Sequence, residues 1–393
     1  MKRRDLIINT AVAALGQFAY SHVAKGVALT KDEKKGAWKF RWGDGPPYPA
    51  FVKGGAMAVV SDAVAYVAGS TYPWRETEMG WYFEPEKDWK APESGSLQQE
   101  DKKALLSSGW KPLPPMPVGR AYTHGTGVLD SLVVVGGRWQ RHACKEVFRL
   151  HRRSSKEWQW EVLPSLSQAR AAAGVAAVGS MVITVGGGDW DRIRGGAFMT
   201  REVTLVEGLD LQQKDKGWRS LASFPGGHRV GTMTASAKGK VYVFGGYDSW
   251  YENDQRRLQE HTDAFCYDVE SNRWEAVSSL PAVLRNAAVT TLDDRYIVMA
   301  GGVAKIPDGS QQDYQSILVD PKRRVVLGQY SNRVLVYDAT SRAYTWAEGR
   351  MPRGHGDIRM CQLGSRLYAL GGENVDVTLS NCTNDFMVGE RVA

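Results

Sequence analysis

The chain has 393 residues and a formal net charge of +7. This mild excess contains no long lysine- and arginine-rich run, so we expect no nucleic-acid partner. No apolar run of about 18 residues or more is present, and the sequence therefore predicts no ordinary membrane span. The four cysteines show no metal-ligand spacing, and nothing in the sequence signals a metal or a cofactor.

The N-terminus has the layout of an export signal. A basic start at Lys2, Arg3 and Arg4 precedes an apolar stretch from Leu6 to about Ala19, and small residues follow. The segment RRDLI also resembles a twin-arginine signal, which implies export of the folded protein across a bacterial inner membrane. We expect an export signal over residues 1–24 and a periplasmic or otherwise exported protein. The alternative is an uncleaved basic helix.

The main sequence pattern is an apolar, strand-like run that ends in two glycines. These pairs begin at residues 136, 186, 245, 301 and 371, at intervals of 50, 59, 56 and 70 residues. A degenerate sixth copy ends at Gly69-Ser70. Self-similarity at this period is typical of a propeller built from small sheets. The glycines allow a tight bend, and no G-x-G-x-x-G spacing indicates a phosphate site.

Other features recur around each glycine pair. An arginine followed by small residues and a strand comes before the pair, at Arg120, Arg170, Arg229 and Arg285. A further strand and a tryptophan follow it, and a proline-containing turn leads to the next copy. We place Trp110, Trp158, Trp218, Trp274 and Trp346 in the tryptophan slot. Each copy therefore predicts four short antiparallel strands.

These residues resemble the kelch repeat over nearly the whole chain from about residue 37. The resemblance implies an all-β fold, a single six-bladed kelch-type β-propeller over residues 37–393. The last copy lacks a tryptophan, whereas AWKFRW near the N-terminus has Trp38 and Trp42. We therefore expect the N-terminal strand to complete the last blade and close the ring, which removes unpaired strand edges. Insertions are expected at residues 73–109 and 303–329, where long loops on a scaffold often carry function.

Resemblance to kelch domains that bind acidic ligands points the repeated arginines towards one end of a central channel. Arg120, Arg170, Arg229 and Arg285, and less regularly Arg353 with His355, would then form an anion clamp, because guanidinium groups bind carboxylates through paired hydrogen bonds. The alternative is a scaffold role, in which the arginines hold the backbone carbonyls of neighbouring blades.

Residues after the glycine pairs face the same channel mouth in that resemblance. We expect Trp139, Trp190 and Tyr247 to stack on a sugar ring, and Glu373 and Asp189 to handle protons. The alternative is that these side chains only pack against one another within the loops.

Among exported kelch propellers, the chain is similar in size to the sialic acid mutarotase family. That resemblance implies exchange of the anomers of an acidic sugar without a metal or cofactor. The chain departs from the family because it has no Glu-x-Lys-Pro-Gly-x-Arg stretch. The corresponding loops read GGAFMTREVTLVEG and NDQRRLQEHTDAF.

Two other classes of function remain open from the sequence. A non-catalytic kelch module would present the same mouth to an acidic glycan or an acidic peptide loop. A copper-radical oxidase would need histidine and tyrosine ligands, and no histidine here, including His124 and His228 near the channel, lies in the Tyr-His dipeptide of that type. Cys361 and Cys382 could pair in an oxidising compartment or remain small core residues. The sequence does not determine the oligomeric state.

Overall fold

The computed structural model describes residues 38–71, 75–85, 109–154, 157–191, 197–199, 203, 205–306, 314–315, 330–374 and 382–392. The predicted export signal and most of the two predicted insertions lie outside these residues. The described chain is built almost entirely of strands, and its one helical element is a 3-10 turn at Leu211–Lys216. No helix among the described residues is long and apolar enough to cross a membrane.

Seven four-stranded antiparallel sheets are present among the described residues, and six of them repeat one plan. We number these six, and we give the strands of each in the order in which they pair. Sheet 1 contains Ala56–Val60, Ala63–Val67, Gly80–Phe83 and Trp110–Pro112. Sheet 2 contains His124–Gly127, Ser131–Val135, Val147–Ser154 and Glu157–Leu163. Sheet 3 contains Gly174–Val178, Met181–Val185, Glu207–Asp210 and Arg219–Ser220.

The remaining sheets follow the same plan. Sheet 4 contains Met233–Ala237, Lys240–Phe244, Ala264–Asp268 and Arg273–Val277. Sheet 5 contains Ala288–Leu292, Tyr296–Ala300, Val334–Asp338 and Ala343–Trp346. Sheet 6 contains Arg359–Leu363, Arg366–Leu370, Phe386–Arg391 and, as its fourth strand, Phe40–Asp44. The predicted pairing of the N-terminal strand with the last repeat is therefore confirmed, with Phe40 opposite Arg391.

Shorter hairpins extend from the second strands of the sheets, and we call them the end hairpins. In sheets 1 to 4 they are Ser70–Thr71 with Arg75–Glu76, Arg138–Trp139 with His142–Ala143, Asp189–Asp191 with Ala197–Met199, and Tyr247–Glu252 with Gln255–Glu260. In sheet 5 the corresponding element has four strands, Val283–Arg285, Val303–Lys305, Tyr330–Ser331 and Tyr314–Gln315. The end hairpins follow the glycine pairs directly.

The core lies between consecutive sheets. Six clusters of buried hydrophobic residues fill the interfaces between sheets 1 and 2, 2 and 3, 3 and 4, 4 and 5, 5 and 6, and 6 and 1. The first strands contact one another in the same cyclic order. Each sheet therefore buries both faces against its two neighbours, which explains why its second strand is a continuous apolar run such as VYVF.

Backbone hydrogen bonds follow the same cycle. The second residue of each glycine pair donates its N–H to a carbonyl of the next sheet, at 2.7 to 3.3 Å. The donors Gly69, Gly137, Gly187, Gly246, Gly302 and Gly372 meet, in that order, the carbonyls of Arg120, Arg170, Arg229, Leu284, His355 and Val52. We call these contacts the inter-sheet glycine bonds. They link sheet 6 back to sheet 1.

A second ring of hydrogen bonds lies two residues beyond these acceptors. Gly54, Tyr122, Ala172, Gly231, Asn286 and Asp357 all have φ between 49° and 65°. Their backbone groups bond from sheet to sheet at 2.8 to 3.3 Å, with Thr123 rather than Tyr122 donating to Gly54. We call these six residues the inner ring.

The glycine pair is required mainly at its second residue. The six second residues have φ between 84° and 113°, outside the left-handed region that side chains tolerate. In sheet 1 the pair is Ala68-Gly69, one residue earlier than the predicted Gly69-Ser70, and Ala68 has φ of 64°. An alanine is thus accommodated at the first position but not found at the second.

The outer tryptophans hold the turns that connect the sheets. The indole N–H groups of Trp110, Trp160, Trp218 and Trp274 donate to the carbonyls of Pro46, Pro114, Pro164 and Ala222. Trp160, rather than the predicted Trp158, therefore occupies this slot in sheet 2. In sheet 5 the hydroxyl of Tyr344, rather than Trp346, makes the equivalent bond to Ser278.

We expect Gly137→Ala to lower the free energy of unfolding by about 2 to 4 kcal/mol. Its φ is 98°, and a Cβ there would lie 2.8 Å from the Cβ of Thr123. Gly179→Ala is the matched control, because Gly179 has φ of 56° and nothing within 4 Å of an added Cβ. That control should cost only about 1 to 2 kcal/mol. Equal losses for the two variants in urea unfolding would contradict this account of the glycine pair.

Candidate functional site

The candidate site lies at the end of the first strands where the inter-sheet glycine bonds form. In each sheet, two positions pair through their backbones. One directly follows the carbonyl acceptor of an inter-sheet glycine bond, and the other directly follows the glycine pair. These partners are Lys53 with Ser70, Ala121 with Arg138, Ala171 with Gly188, Val230 with Tyr247, Arg285 with Val303, and Gly356 with Glu373. The first strands of all six sheets line a common space, which we call the channel. These partners and the inner ring lie at one end of it, which we call the mouth.

The structure places Arg120, Arg170 and Arg229 at the acceptor position itself, and all three are at most 1% exposed. Each guanidinium pairs with an acid at or just before the third strand of its own sheet: Glu146 at 2.8 Å, Glu207 at 2.5 Å and Asp263 at 2.7 Å.

Terminal nitrogens of these arginines also donate to backbone carbonyls, whereas their buried Nε atoms have no partner among the described residues. Arg170, for example, also donates to Gly186 and Leu205. In sheet 6 His355 takes the acceptor position, and Arg353 and His355 both bond to Asp385. This burial and pairing correspond to the scaffold alternative.

Arg285 differs from the other predicted arginines because it lies one position further along the backbone, beside Leu284, which accepts the glycine bond. Its Nε donates to Glu260 at 3.0 Å, and its guanidinium lies 4.9 Å from the centre of the Tyr247 ring. Its two terminal nitrogens make no hydrogen bond within the described part of the chain. Arg285 and Tyr247 therefore come together at the mouth, with the guanidinium accessible to a ligand.

The other predicted residues are distributed around the end hairpins. Asp189 accepts a hydrogen bond from the backbone N–H of Ala143 at 2.8 Å, which joins the end hairpins of sheets 2 and 3. Trp139 is half-buried in the first of these hairpins. Trp190 pairs through its backbone with Phe198, and its side chain lies outside the described structure. Glu373 belongs to sheet 6, three sheets away from Asp189 in the cyclic order, and the two carboxyls do not meet.

Glu373 lies in a polar cluster that was not predicted from the sequence. Its carboxylate accepts hydrogen bonds from Lys53 Nζ and from the Tyr330 hydroxyl, the latter at 2.7 Å. Burial opposes a charge on Lys53, but Tyr122, Glu373 and Asp357 together raise its pKa above the usual range. Burial and Glu373 also raise the pKa of Tyr330. Lys53 is thus held charged and Tyr330 protonated, and both act as donors to Glu373.

Asp357 is the second carboxyl of this cluster. Burial, and next the charge of Glu373, raise its pKa to about 6, against the opposing charges of Arg359, Lys53 and Arg285. No hydrogen bond reaches its carboxyl from the described residues, and its side chain remains partly accessible. A carboxyl with a pKa near neutrality is suited to give or take a proton, because both of its states are populated.

The arc of the mouth formed by sheets 3 and 4 is apolar, and it adjoins Tyr122 and Arg138 of sheet 2. Ala171, Ala172, Val230 and Tyr247 form a buried cluster contributed by sheets 3 and 4, and Tyr122 of sheet 2 packs against it. Sheets 5, 6 and 1 supply Arg285, Glu373, Asp357 and Lys53 on the opposite side. The mouth therefore offers one apolar and one charged surface, an arrangement suited to a sugar, whose ring has apolar and hydroxyl-bearing regions.

The prediction from the sequence was based on the repeated arginines, and it therefore missed Lys53, Asp357 and Tyr330. The acceptor position precedes the first residue of the glycine pair by a constant number of residues in most sheets: Arg120 and Gly136, Arg170 and Gly186, and Arg229 and Gly245 are each 16 apart. Counting back by the same number from Ala68 and Gly371 gives Val52 and His355. Lys53 and Asp357 follow these residues, so the spacing held a usable signal.

Among the described residues we find no site built for metal or thiol chemistry. No group of three or more His, Cys, Asp or Glu side chains there could hold a metal ion. Cys144, Cys266, Cys361 and Cys382 are all free thiols.

We expect Arg170→Ala to destabilise the fold by about 3 to 5 kcal/mol, because it leaves Glu207 buried without its partner. Arg285→Ala should cost less than about 1 kcal/mol, because that pair lies at the surface of the mouth. Urea unfolding of both variants measures the difference. A small effect of Arg170→Ala would contradict its scaffold role.

The raised pKa of Asp357 predicts a pH-dependent stability. The folded state retains this proton up to about pH 6, whereas the unfolded state loses it near pH 4, so stability falls as pH rises through that window. Relative to Asp357→Asn, the wild-type chain should lose roughly 1 to 3 kcal/mol between pH 4 and pH 7. Asp62→Asn is the matched control, since Asp62 is exposed and also has a positive φ of 61°. A difference between wild type and Asp357→Asn that does not change with pH would contradict the assignment.

Comparison with known sequences gives matches to one family. The sequence model of N-acetylneuraminate epimerase matches residues 203–335. The N-acetylneuraminate epimerase of Yersinia pestis strain Pestoides F is 31% identical over 179 residues, which cover 42% of this chain and 45% of the relative. The corresponding protein of Haemophilus influenzae is 28% identical over 177 residues, 42% of this chain and 46% of the relative.

The chain thus matches somewhat less than half the length of these relatives. The family match includes Tyr247, Arg285 and Tyr330 but ends before Asp357 and Glu373. The predicted resemblance is confirmed: the chain is similar to N-acetylneuraminate epimerases over the central part of its sequence.

Proposed function

We propose that the six sheets are the blades of a closed six-bladed kelch-type propeller, and that its mouth is the active site of an exported carbohydrate mutarotase. The cyclic order of the inter-sheet glycine bonds and of the six hydrophobic clusters supports the closed ring. The basic and apolar N-terminal segment supports export. The similarity to N-acetylneuraminate epimerases supports an acidic sugar as the substrate class.

The observation that carries the proposal is the pair of carboxyls at the mouth. Glu373 is held by Lys53 and Tyr330, and Asp357 has its pKa raised to about 6. Two neighbouring carboxyls in different environments are suited to separate acid and base roles. Exchange of anomers needs such a pair, because one group must donate a proton to the ring while another removes one from the anomeric hydroxyl.

Binding of the acidic sugar falls mainly to Arg285. Its terminal nitrogens make no bond with described residues, and its planar fork matches a carboxylate. Glu260 and the Tyr247 ring hold the guanidinium in place. The apolar cluster of sheets 3 and 4 then supports the less polar face of the ring. Arg120, Arg170 and Arg229 support the blades and do not contact the sugar.

The reaction proceeds through ring opening. Asp357 donates its proton to the ring oxygen while the Glu373 carboxylate removes the proton of the anomeric hydroxyl. The bond between the anomeric carbon and the ring oxygen breaks, and the anomeric carbon becomes a carbonyl. Rotation presents the other face of that carbonyl, and closure reverses the two proton transfers. Both carboxyls return to their starting states, so the cycle needs no other reactant.

We expect Asp357→Asn to slow anomer exchange of N-acetylneuraminic acid by about 100-fold or more, because the amide cannot donate and recover a proton. Arg285→Ala should weaken binding by roughly tenfold, the loss of a charge-assisted contact. Exchange spectroscopy by NMR on the purified protein gives the rate, and calorimetric titration gives the affinity. Asp62→Asn and Arg273→Ala, both at exposed positions, should match the wild type.

The same experiment separates catalysis from binding alone. Retained binding with no exchange above the uncatalysed rate in the wild-type protein would identify a binding module for an acidic glycan or peptide. Full exchange activity in Asp357→Asn would remove Asp357 from the mechanism. With Asp357 as the proton donor, the wild-type rate should decline as pH rises above about 6.

A further inference from the structure

A cavity that is open to solvent lies between the first strands, beyond the inner ring. It has a volume of about 310 Å³ and is lined by the first strands of all six sheets. The hydroxyl-bearing residues Thr234, Ser236 and Thr290 are among its lining residues, together with His124 and Arg359. The mechanism proposed for the mouth does not use these groups.

Among the described residues that line this cavity, Arg359 alone carries a formal charge. Its guanidinium donates to the carbonyls of Gly55 at 2.7 Å, Ile358 at 3.1 Å and Thr123 at 3.2 Å, which belong to the neighbouring sheets 1, 6 and 2. These three acceptors are neutral, and two guanidinium N–H groups have no acceptor among the described residues. No carboxylate hydrogen-bonds to Arg359 in the described structure, although Asp357 lies close enough to interact with its charge.

His124 adds a second unsatisfied group. Its Nδ1 is buried and has no hydrogen-bond partner in the described structure. Burial, and next the charge of Arg359, lower the pKa of His124 well below its usual range, so the ring is neutral. A neutral imidazole can donate from either nitrogen, depending on its tautomer. Buried polar atoms without partners are uncommon in native proteins and call for a ligand or water.

The lining is therefore rich in donors and lacks a negative charge. Guanidinium N–H groups, hydroxyl groups and a neutral imidazole together match the acceptor oxygens of a small oxyanion. The Cys361 thiol also lines the cavity, and burial raises its pKa, so it adds no charge. We propose that this cavity binds a small tetrahedral oxyanion, such as sulfate or inorganic phosphate, through Arg359, His124 and the channel hydroxyls.

This site is coupled to the mouth through Arg359. The guanidinium interacts with Asp357 on the mouth side and would contact the anion on the cavity side. The anion and an ionised Asp357 repel each other, so each disfavours the other by the same factor. Protonation of Asp357 below about pH 6 should therefore strengthen anion binding.

The charged and titratable groups that act on this pair are few. The pKa of Asp357 is affected by the charges of Glu373, Arg359, Lys53 and Arg285. The pKa of Arg359 is affected by those of Asp357 and Tyr66. Burial raises the pKa of Tyr66, and the pKa of His124 is far below neutrality. Asp357 is consequently the group that titrates near pH 6 at this site.

Sulfate is the probe, because it does not titrate between pH 5 and pH 8. Calorimetric titration of the full chain with sulfate, at constant ionic strength set by chloride, should show one saturable site. Its affinity should rise roughly tenfold from pH 7.5 to pH 5.5 in the wild type. Asp357→Asn should bind sulfate with little pH dependence across the same range.

Variants locate the site without disturbing the bridge made by Arg359. His124→Leu and Thr234→Val remove donors from the cavity and should each weaken sulfate binding several-fold. Arg285→Ala alters the mouth, so it should leave sulfate binding unchanged at pH 5, where Asp357 is protonated in both proteins. Absence of saturable binding, or binding lost in Arg285→Ala but retained in His124→Leu and Thr234→Val, would overturn the proposal. The mouth mechanism is judged separately by anomer exchange, so failure of one proposal leaves the other intact.

Discussion

The fold depends on one repeated contact, the hydrogen bond from the second glycine of each pair to a carbonyl of the next sheet. This contact sets the distance between neighbouring sheets, because the glycine backbone approaches that carbonyl directly. A side chain at this position would both clash and require a forbidden φ. The sheets then bury both faces against their neighbours, and a continuous series of hydrophobic clusters follows.

The same contact separates structural residues from site residues. The carbonyl acceptor belongs to a buried position, and in sheets 2, 3 and 4 an arginine there pairs with an acid of its own sheet. The two residues after the acceptor face the mouth, and this contact does not restrict which residue types they can be. They can be Lys53 and Gly54 in sheet 1, or Gly356 and Asp357 in sheet 6, without altering the frame. Chemistry can therefore vary at the mouth while the scaffold stays constant.

Electrostatics at the mouth follow from this separation. Backbone hydrogen bonds fix the main chain of Asp357 in the inner ring, near Glu373, and burial and the charge of Glu373 raise its pKa. Lys53 and Tyr330 neutralise and position Glu373 from two other sheets. A preorganised pair of this kind favours proton transfer, because the groups need little rearrangement during reaction. Arg359, two residues after Asp357, interacts with this carboxyl and also lines the cavity.

The sequence by itself determined the repeat, the all-β class and the strand that joins the N-terminus to the last repeat. These features depend on local properties: the φ required at Gly137 and its equivalents, the apolar second strands, and the tryptophans Trp38 and Trp42 near the N-terminus. Such properties are visible one residue at a time, so a periodic sequence displays them directly.

Only the tertiary structure decided which residues form the site. Arg285 precedes Gly301 by 16 residues, as Arg120 precedes Gly136, and the sequence therefore placed the two in the same role. In sheet 5 Leu292 pairs with Tyr296, so three residues, 293–295, form the turn, whereas two form it in the other sheets, including sheet 2, where Val128 bonds with Ser131. Leu284 therefore takes the acceptor position instead. That single residue moves Arg285 from the scaffold to the mouth. Glu373, Lys53 and Tyr330 likewise meet only because sheets 6, 1 and 5 are brought together around the channel, and no local spacing records a contact between sheets.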